Sequence, residues 1–251
     1  YDEARRVWNG MIDRRPAAVA RCRGVADVIA CVRFAAERDL LLAVRGGGHN
    51  VAGFGTCDGG LVIDLSAMRS VRVDPARRVA RAEGGTTWGE VDRETQVFGL
   101  ATPGGLVSTT GIGGLTLGGG QGWLRRTYGM TCDNLLSADV VTADGQLLVA
   151  SEEEHADLFW ALRGGGGNFG VVTSFEYRLH PVGPLVALAD LVYPLDQSAR
   201  VMEGFRDFVA EAPDELNVSV TWWSIPAVPG FPEELHGEAV VIVGAVDAGP
   251  S

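Results

Sequence analysis

Clustered glycine is the feature of this sequence that most limits its fold. The 251 residues contain 35 glycines, and many fall in three stretches: RGGGHN at 45–50, PGGLVSTTGIGGLTLGGGQG at 103–122 and RGGGGNFG at 163–170. Glycine costs about 1 kcal/mol relative to alanine inside a helix, so these stretches are intrinsically poor helix formers. They indicate places where the backbone turns sharply or comes close to another group, and a phosphate held by main-chain N–H groups is one candidate.

The first stretch also carries a histidine. An apolar strand pattern, LLAVR, runs into Gly46–Gly48, and His49 follows directly. In that position a histidine can act as a base, a metal ligand or a nucleophile. A tight turn that closes a strand would tolerate the same residues, so this stretch alone leaves both interpretations open.

The third stretch contains a complete dinucleotide fingerprint at Gly165, Gly167 and Gly170. That fingerprint must follow a strand and open a helix, whereas a helical pattern, HADLFWALR, precedes it here and a strand pattern, VVTSFEY, follows. The sequence therefore argues against a Rossmann site. All 21 basic residues are arginine, which also excludes the Walker phosphate loop, because that loop needs a lysine.

Charge and composition exclude other classes. The balance of 21 basic and 32 acidic residues gives a net charge of −11, which has the wrong sign for a nucleic-acid binder. No window approaches the ~20 apolar residues that span a membrane. The histidines share no ligand spacing, so no metal site is expected. The cysteines form no metal-binding or disulfide pattern and are expected to be free thiols; they are Cys22, Cys31, Cys57 and Cys132.

Periodicity predicts an α+β chain. Apolar residues spaced i, i+3, i+4 and i+7 predict a helix over residues 24–38, between two short strands. A second helix is expected in TTWGEVDRETQVFG, with Thr86 as its N-cap and Thr87 and Glu90 as a partial capping box. The Asp144-Gly145 turn predicts a β-hairpin.

The composition and the apolar pattern of the chain change near Pro181–Pro184. Glycine clusters stop there, and alternating apolar runs such as LNVSVTWWSI begin. We therefore expect a domain boundary at this point, with the start of an antiparallel sheet on its C-terminal side.

Three stretches in this order, RGGGHN, GIGGLTLGGGQGWLRRTYGMTCDNL and RGGGGNFGVVTSFEYRL, resemble the FAD-linked oxidases of the vanillyl-alcohol oxidase (PCMH-type) fold. The likeness is to the berberine-bridge-enzyme-like branch, which includes bacterial 6-hydroxynicotine oxidases. It implies a two-subdomain FAD-binding domain over residues 1–180 and a truncated substrate-binding domain over 184–251. It also implies an FAD-dependent oxidoreductase that takes hydride from a small-molecule alcohol, amine or sugar and passes the electrons to O2.

In this family the glycine loop wraps the FAD pyrophosphate, and the histidine bonds covalently to the flavin. Val107 stands where many plant and fungal relatives carry a cysteine that adds a second link, so attachment through His49 only is implied. Arg45 would add positive charge beside the diphosphate. The implied cofactor-binding residues are Arg45, Gly46, Gly47, Gly48, His49, Asn50, Gly53, Gly104, Gly105, Thr109, Gly111, Gly113, Gly114, Gly118, Gly119, Gly120, Gly122, Asn134, Gly170 and Val172.

Several properties stay open at this stage. Catalytic residues are unknown, and the catalytic base is expected beyond Ser251. Tyr128 and the pair Trp222–Trp223 are more typical of core positions than of a substrate pocket. A dehydrogenase that uses another acceptor and a non-catalytic flavin-binding relative are the alternatives, and Thr110 is expected near the flavin, where side-chain bulk controls access of oxygen. A cytoplasmic, bacterial protein is expected, with secretion left open because the chain begins at Tyr1; substrate and oligomeric state are undetermined.

Overall fold

The computed structural model describes residues 1–249. The chain divides into two compact units, Tyr1–Pro184 and the residues from Leu185 onward. Within residues 1–249, no helix is long and apolar enough to cross a membrane. The four cysteines are free thiols, as expected.

The first unit opens with a parallel sheet. Its elements are β1 (Ala18–Arg21), α1 (Val25–Glu37), β2 (Leu42–Arg45) and β3 (Leu61–Asp64). Both β1 and β2 pair in parallel with β3, so the strand order is β1-β3-β2. The helix predicted over 24–38 is confirmed, and it buries Val28, Val32 and Ala35, the face that its apolar spacing indicates.

A five-stranded antiparallel sheet forms the second layer of this unit. It consists of β4 (Val71–Asp74), β5 (Val79–Glu83), β7 (Leu135–Val141), β8 (Leu147–Ser151) and β9 (Val171–Arg178), in the order β4-β5-β9-β7-β8. The hairpin predicted around Asp144-Gly145 is confirmed as β7–β8. Helix α5 (Ala156–Leu162) precedes the third glycine stretch and β9 follows it, which is the reverse of a Rossmann arrangement.

Helix α2 (Trp88–Gln96) corrects one expectation. Its N-cap is Thr87, whereas the sequence suggested Thr86. The Glu90 carboxylate accepts hydrogen bonds from the Thr87 main-chain N–H at 2.9 Å and from its hydroxyl at 3.0 Å. The Thr86 carbonyl accepts the Ile112 N–H at 3.0 Å, and the Thr87 backbone is extended, so the helix begins one residue later.

The second glycine stretch contains a short helix, α3 (Ile112–Leu117), and α4 (Arg125–Tyr128) follows it. Packing, not propensity, stabilises α3. Ile112 is fully buried, and the Thr116 hydroxyl lies 2.7 Å from the Tyr177 hydroxyl on β9. Two very short strands, β6 (Leu100–Ala101) and β10 (His180–Pro181), pair with each other.

The second unit contains an antiparallel sheet. Strands β11 (Ala187–Pro194), β12 (Leu216–Ser224) and β13 (Ala239–Asp247) have the order β11-β13-β12, and helix α6 (Ser198–Glu211) connects β11 to β12. The mixture of helices with separate parallel and antiparallel sheets confirms the α+β class. Within this sheet Trp222 and Trp223 are about half exposed.

Candidate functional site

The loop after β2 carries a run of unpaired main-chain donors. Within residues 1–249, none of the N–H groups from Gly46 to Asn50 has a protein acceptor within hydrogen-bonding distance. The residues from Gly46 to His49 are half-buried, and buried or half-buried donors are normally satisfied. Successive main-chain N–H groups in a loop of this kind are a common way to bind an anion.

The first and second glycine stretches cross at Gly47 and Gly111. A Cβ on Gly47 would lie 2.2 Å from the Gly111 nitrogen, and a Cβ on Gly111 would lie 2.2 Å from the Gly47 nitrogen. No side chain tolerates such a distance, because the opposing atoms are main chain. Both residues are therefore glycine for a reason internal to the protein, namely the close approach of two backbone segments.

His49 lies beside this crossing and is held on three sides. Its Nε2 is 3.0 Å from the Thr109 hydroxyl oxygen, and its Nδ1 is 3.5 Å from that of Thr110. Its ring stacks on Trp8, with centroids 5.4 Å apart and an interplanar angle of 19°. Burial lowers the pKa of His49 below its ordinary value, so the imidazole is neutral near pH 7 and keeps a lone pair for attack or ligation.

A role of His49 as a metal ligand would require other ligating side chains close to it. Within the described residues 1–249, no three histidine, cysteine, aspartate or glutamate side chains come close enough together to hold a metal ion.

Arg45 makes its hydrogen bonds within the protein. Its guanidinium donates to Asp64 at 2.7 Å, to the Arg6 carbonyl at 3.1 Å and to the Ala4 carbonyl. The sequence suggested that this charge would complement a diphosphate, but it is neutralised by a carboxylate that is only 1% exposed. Arg45 thus anchors the base of the loop.

Asp64 was missed at the sequence level, although a signal for it exists. It interrupts the apolar run LVIDL, and a charge in a buried strand requires a partner. Parallel pairing of β2 with β3 puts Arg45 in register with Asp64. Burial by itself would raise the pKa of Asp64, but hydrogen bonds from Arg45 and from the Ser66 N–H bring that pKa below its usual value, so the pair is ionised.

Other glycines of the second stretch also serve contacts within the protein. A Cβ on Gly122 would lie 1.8 Å from the Gly104 carbonyl oxygen, and one on Gly104 would lie 2.4 Å from the Trp88 ring. Gly105 is similarly close to Trp88, at 2.9 Å. Gly120 has a positive φ of 78°. These positions fold the stretch onto itself and onto α2.

One face of the same stretch is open. This face consists of Gly114 and Gly118, which are exposed. A Cβ on Gly114 would meet no atom within 4 Å, and one on Gly118 would meet only two carbonyl oxygens of α3, at 3.3 and 3.7 Å. Gly113 and Gly119 are buried. Glycine at Gly114 is thus not required by any neighbour in the chain. A flat group lying against this face would account for it, and the main-chain donors of the first loop suit the phosphates of the same ligand.

Three of the residues predicted to bind the cofactor contact other parts of the first unit, away from the loop after β2 and from α3. Gly53 packs on Ile12, 2.7 Å from where its Cβ would be. Gly170 has a φ of 144° and packs against the β7 backbone. Val172 places its carbonyl 2.4 Å from a Cβ on Gly84. Packing within the protein explains glycine at positions 53 and 170, and the Val172 carbonyl explains glycine at position 84.

The Asn134 side chain makes hydrogen bonds to three other residues of the protein. Its side-chain oxygen is 2.6 Å from His180 Nε2, and its side-chain amide donates to the carbonyls of Tyr128 and Met130 at 2.8 and 2.9 Å. The Tyr128 ring stacks on His180 with centroids 3.9 Å apart. Tyr128 therefore has a structural environment, as the sequence favoured.

Trp8 was missed entirely, because residues 1–15 carry no periodic pattern. The structure nonetheless binds this segment along the first glycine loop. The Trp8 N–H donates to the Gly48 carbonyl at 3.0 Å, and the Arg14 guanidinium donates to the Gly53 carbonyl at 2.8 Å. Only the folded chain reveals that an aromatic ring covers His49.

Comparison with known proteins agrees with this geometry. Residues 16–151 match the family model described as FAD binding domain. The chain is 39% identical over 223 residues to (R)-6-hydroxynicotine oxidase of Paenarthrobacter nicotinovorans, an alignment that covers 88% of this chain and 48% of that protein. The chain thus spans about half the length of the curated relatives it matches.

Solved structures give the same result. The crystal structure of 6-hydroxy-D-nicotine oxidase from Arthrobacter nicotinovorans superimposes with a TM-score of 0.88 at 34% identity and covers 99% of this chain and 53% of that one. A berberine-bridge-enzyme-like protein of Arabidopsis thaliana gives a TM-score of 0.82 at 28% identity, with 92% and 47% covered. The resemblance inferred from the three glycine stretches is confirmed.

Proposed function

The chain belongs to the FAD binding domain family, and from this premise we propose that it is part of an FAD-dependent oxidase that carries its flavin covalently on His49. The enzyme takes hydride from a small-molecule alcohol, amine or sugar and passes the electrons to O2. Residues 1–180 form the FAD-binding domain, and the residues from 184 onward begin the substrate-binding domain.

One observation carries this proposal. A loop with five successive unpaired main-chain N–H groups contains a neutral histidine whose ring nitrogens lie beside two hydroxyl groups. Main-chain donors suit the pyrophosphate of a dinucleotide, and a neutral imidazole suits a covalent bond to the ring system. Neither feature alone is specific, but their adjacency is.

The residues that hold FAD in this proposal fall into two groups. Gly46 to Asn50 donate main-chain hydrogen bonds to the phosphates. Gly114 and Gly118 present the exposed face against which the ring would lie, and Gly113 and Gly119 are buried next to them in the chain. When bound, FAD supplies a two-electron acceptor for hydride. The protein's own contribution is to bind it, to orient it and to keep His49 unprotonated.

We propose a single covalent bond because no cysteine thiol is suited to form a second one. Val107 provides no sulfur at the position of the second link. Cys57 and Cys132 are buried, and burial raises the pKa of both thiols, which disfavours the thiolate that would have to attack. His49 is the nucleophile that the site supports.

We assign no catalytic base within the described residues. The family relatives are about twice as long as this chain, and the base is proposed to come from the rest of the protein. Thr110 is the residue proposed to affect access of oxygen, because its hydroxyl lies 3.5 Å from the attachment histidine.

The test uses the full-length protein that contains this chain. We expect flavin absorbance to co-elute with the protein on gel filtration and to stay in the pellet after acid precipitation. Oxygen consumption with a panel of alcohols, amines and sugars should then identify a substrate. Reduction of an artificial acceptor without oxygen uptake would make the protein a dehydrogenase, and a colourless protein that binds no added FAD would overturn the proposal.

His49→Ala is the decisive variant, and His236→Ala is its control. His49→Ala should still bind FAD, because the phosphate contacts are main-chain, but it should release all its flavin into the acid supernatant. His236→Ala should keep its flavin in the pellet. A flavin-bearing peptide that contains Cys57 or Cys132 instead of His49 would show that the attachment site is assigned wrongly.

A further inference from the structure

We propose that the N-terminal segment, residues 1–15, positions the cofactor site: Asn9 holds the loop after β2 in its phosphate-binding form, and Trp8 holds the ring of His49. The segment precedes residues 16–151, the part that matches the FAD binding domain model. This inference rests on the proposed binding of FAD by that loop and its attachment to His49. It goes further by assigning roles to two residues outside the matched region.

Trp8 fixes one peptide group of the loop through its main chain. Its N–H donates to the Gly48 carbonyl at 3.0 Å. A peptide group is planar and trans, so its C=O and its N–H point in opposite directions. Because the Gly48 carbonyl points toward the segment, the His49 N–H points away from it. That N–H is one of the five unpaired donors of the loop, and this orientation leaves it available to an anion.

Asn9 holds the next part of the loop with both ends of its side-chain amide. Its oxygen accepts the Met11 N–H at 3.1 Å, and its nitrogen donates to the Val51 carbonyl at 2.8 Å. A donor on one side and an acceptor on the other fix the orientation of the amide. The Arg14 guanidinium donates to the Gly53 carbonyl at 2.8 Å. The segment thus binds loop carbonyls at several points between residues 48 and 53.

These hydrogen bonds matter for affinity because the loop is rich in glycine. Glycine loses more conformational freedom than any other residue when it is ordered, and Gly46–Gly48 are consecutive. A loop that became ordered only when FAD arrived would lose affinity by that amount. The segment orders the loop during folding instead, so the main-chain donors are in place before the phosphates bind.

The Trp8 side chain acts on the His49 ring. The two rings stack with centroids 5.4 Å apart and an interplanar angle of 19°. The lone pair of a neutral imidazole lies in the plane of its ring, so a partner on the ring face restricts rotation without covering either nitrogen. A nucleophile held in one orientation has less entropy to lose on the way to the transition state. Trp8 should therefore affect the rate of attachment, whereas Asn9 should affect affinity.

The covalent step joins an imidazole nitrogen to the methyl carbon at the flavin 8-position. The imidazole and the methyl carbon each lose a proton, and the electron pair of the broken C–H bond passes to the ring system together with two protons. O2 removes these electrons and protons as hydrogen peroxide. Neither Trp8 nor Asn9 exchanges a proton in this step, so their roles are geometric.

The experiment compares Asn9→Leu with Trp8→Ala in the full-length protein. Met11→Ala is the control from the same segment, because the Met11 side chain is 89% exposed. Flavin-free protein is prepared by riboflavin depletion. Its affinity for ADP, which carries the diphosphate without the flavin, is measured by titration calorimetry. Covalent flavin is then followed over time in acid-precipitated samples at saturating FAD.

The two variants should have opposite effects. Asn9→Leu should weaken ADP binding by about fivefold to tenfold, the loss expected for one hydrogen bond, and should attach flavin at close to the parental rate. Trp8→Ala should keep its ADP affinity and attach flavin about threefold to tenfold more slowly, as expected for one aromatic pair. Trp8→Phe keeps a ring over His49 and should attach at close to the parental rate. Met11→Ala should match the parent in both measurements.

A merely structural role of the segment predicts a different pattern, in which both variants lose affinity and rate together, and that result would overturn the inference. Parental ADP affinity in Asn9→Leu, or a parental attachment rate in Trp8→Ala, would each overturn the role assigned to that residue. A parent that binds FAD but releases all of it on acid precipitation would instead overturn the proposed attachment, and the ADP measurement would still test the role of Asn9.

Discussion

Two loops of this protein begin with almost the same letters, RGGGHN at 45–50 and RGGGGN at 163–168, yet they are built differently. The first has unpaired main-chain donors from Gly46 to Asn50. In the third stretch several donors are paired: the Gly165 N–H bonds to the Ala161 carbonyl at 3.0 Å, and the Gly166 N–H bonds to the Leu117 carbonyl at 2.8 Å. The same composition therefore serves a proposed ligand loop in one place and a connection between α5 and β9 in the other.

The arginines that open the two loops differ as well. Arg45 is 11% exposed and pairs with Asp64, which is 1% exposed. Arg163 pairs with Asp133 at 3.2 Å, and these side chains are 31% and 49% exposed. An ion pair removed from water must be complete, whereas an exposed pair is screened and contributes little. The first loop is thus anchored far more firmly than the other.

The largest expected effect comes from breaking the buried pair. Arg45→Met leaves the buried Asp64 carboxylate with only Arg21, 4.0 Å away, as a charged neighbour, and we expect a loss of about 3–5 kcal/mol in the free energy of unfolding. Arg163→Met is the matched control at the other loop and should cost at most about 1 kcal/mol. Denaturant unfolding of the full-length variants measures both. Equal losses would remove the distinction between the two anchors.

A methyl group added to each loop gives the next largest effect. Gly47→Ala places a Cβ 2.2 Å from the Gly111 nitrogen, whereas Gly167→Ala meets no atom within 4 Å, and neither glycine has a positive φ. Forcing atoms into a packed contact typically destabilises by about 1–3 kcal/mol, so Gly47→Ala should lower the melting temperature and Gly167→Ala should leave it nearly unchanged. A stable Gly47→Ala would mean that the crossing of the two segments is loose.

A third variant separates contacts within the protein from contacts with the ligand. Gly114 is inside α3 and its Cβ would face open space, so Gly114→Ala should leave the flavin-free protein as stable as the parent, or more stable by up to about 1 kcal/mol. If FAD lies on this face, the added methyl group should weaken FAD binding by about tenfold or more. Titration calorimetry of flavin-free protein measures this. Unchanged affinity would place the flavin elsewhere.

The smallest effect is one of pH. Burial lowers the pKa of His49 below its ordinary value, so the imidazole is mostly neutral at pH 7 and loses its free lone pair as the pH falls through the lowered pKa. The rate of covalent attachment should be nearly constant between about pH 8 and 7 and should fall as the pH drops through the lowered pKa. Reversible FAD binding, which depends on main-chain donors, should not change over that range. A rate that already falls above pH 7 would contradict a neutral His49.

The sequence by itself determined the local elements and the family. Spacing of apolar residues predicted α1, the turn pair Asp144-Gly145 predicted the hairpin, and Thr87 with Glu90 indicated the start of α2 to within one residue. These signals are reliable because each depends on residues within one or two turns of one another. The order of the three glycine stretches was enough to indicate an FAD-linked fold and to choose His49 over the other histidines.

Only the tertiary structure decided what the site residues touch. Gly47 and Gly111 are 64 positions apart in the chain, Thr109 is 60 positions from His49, and Trp8 belongs to a segment with no pattern at all. Arg45, expected beside a diphosphate, faces Asp64 because two parallel strands come into register. Contacts of this kind form when sheets and loops pack together. The periodicity of apolar residues reflects only local structure, so it cannot predict them.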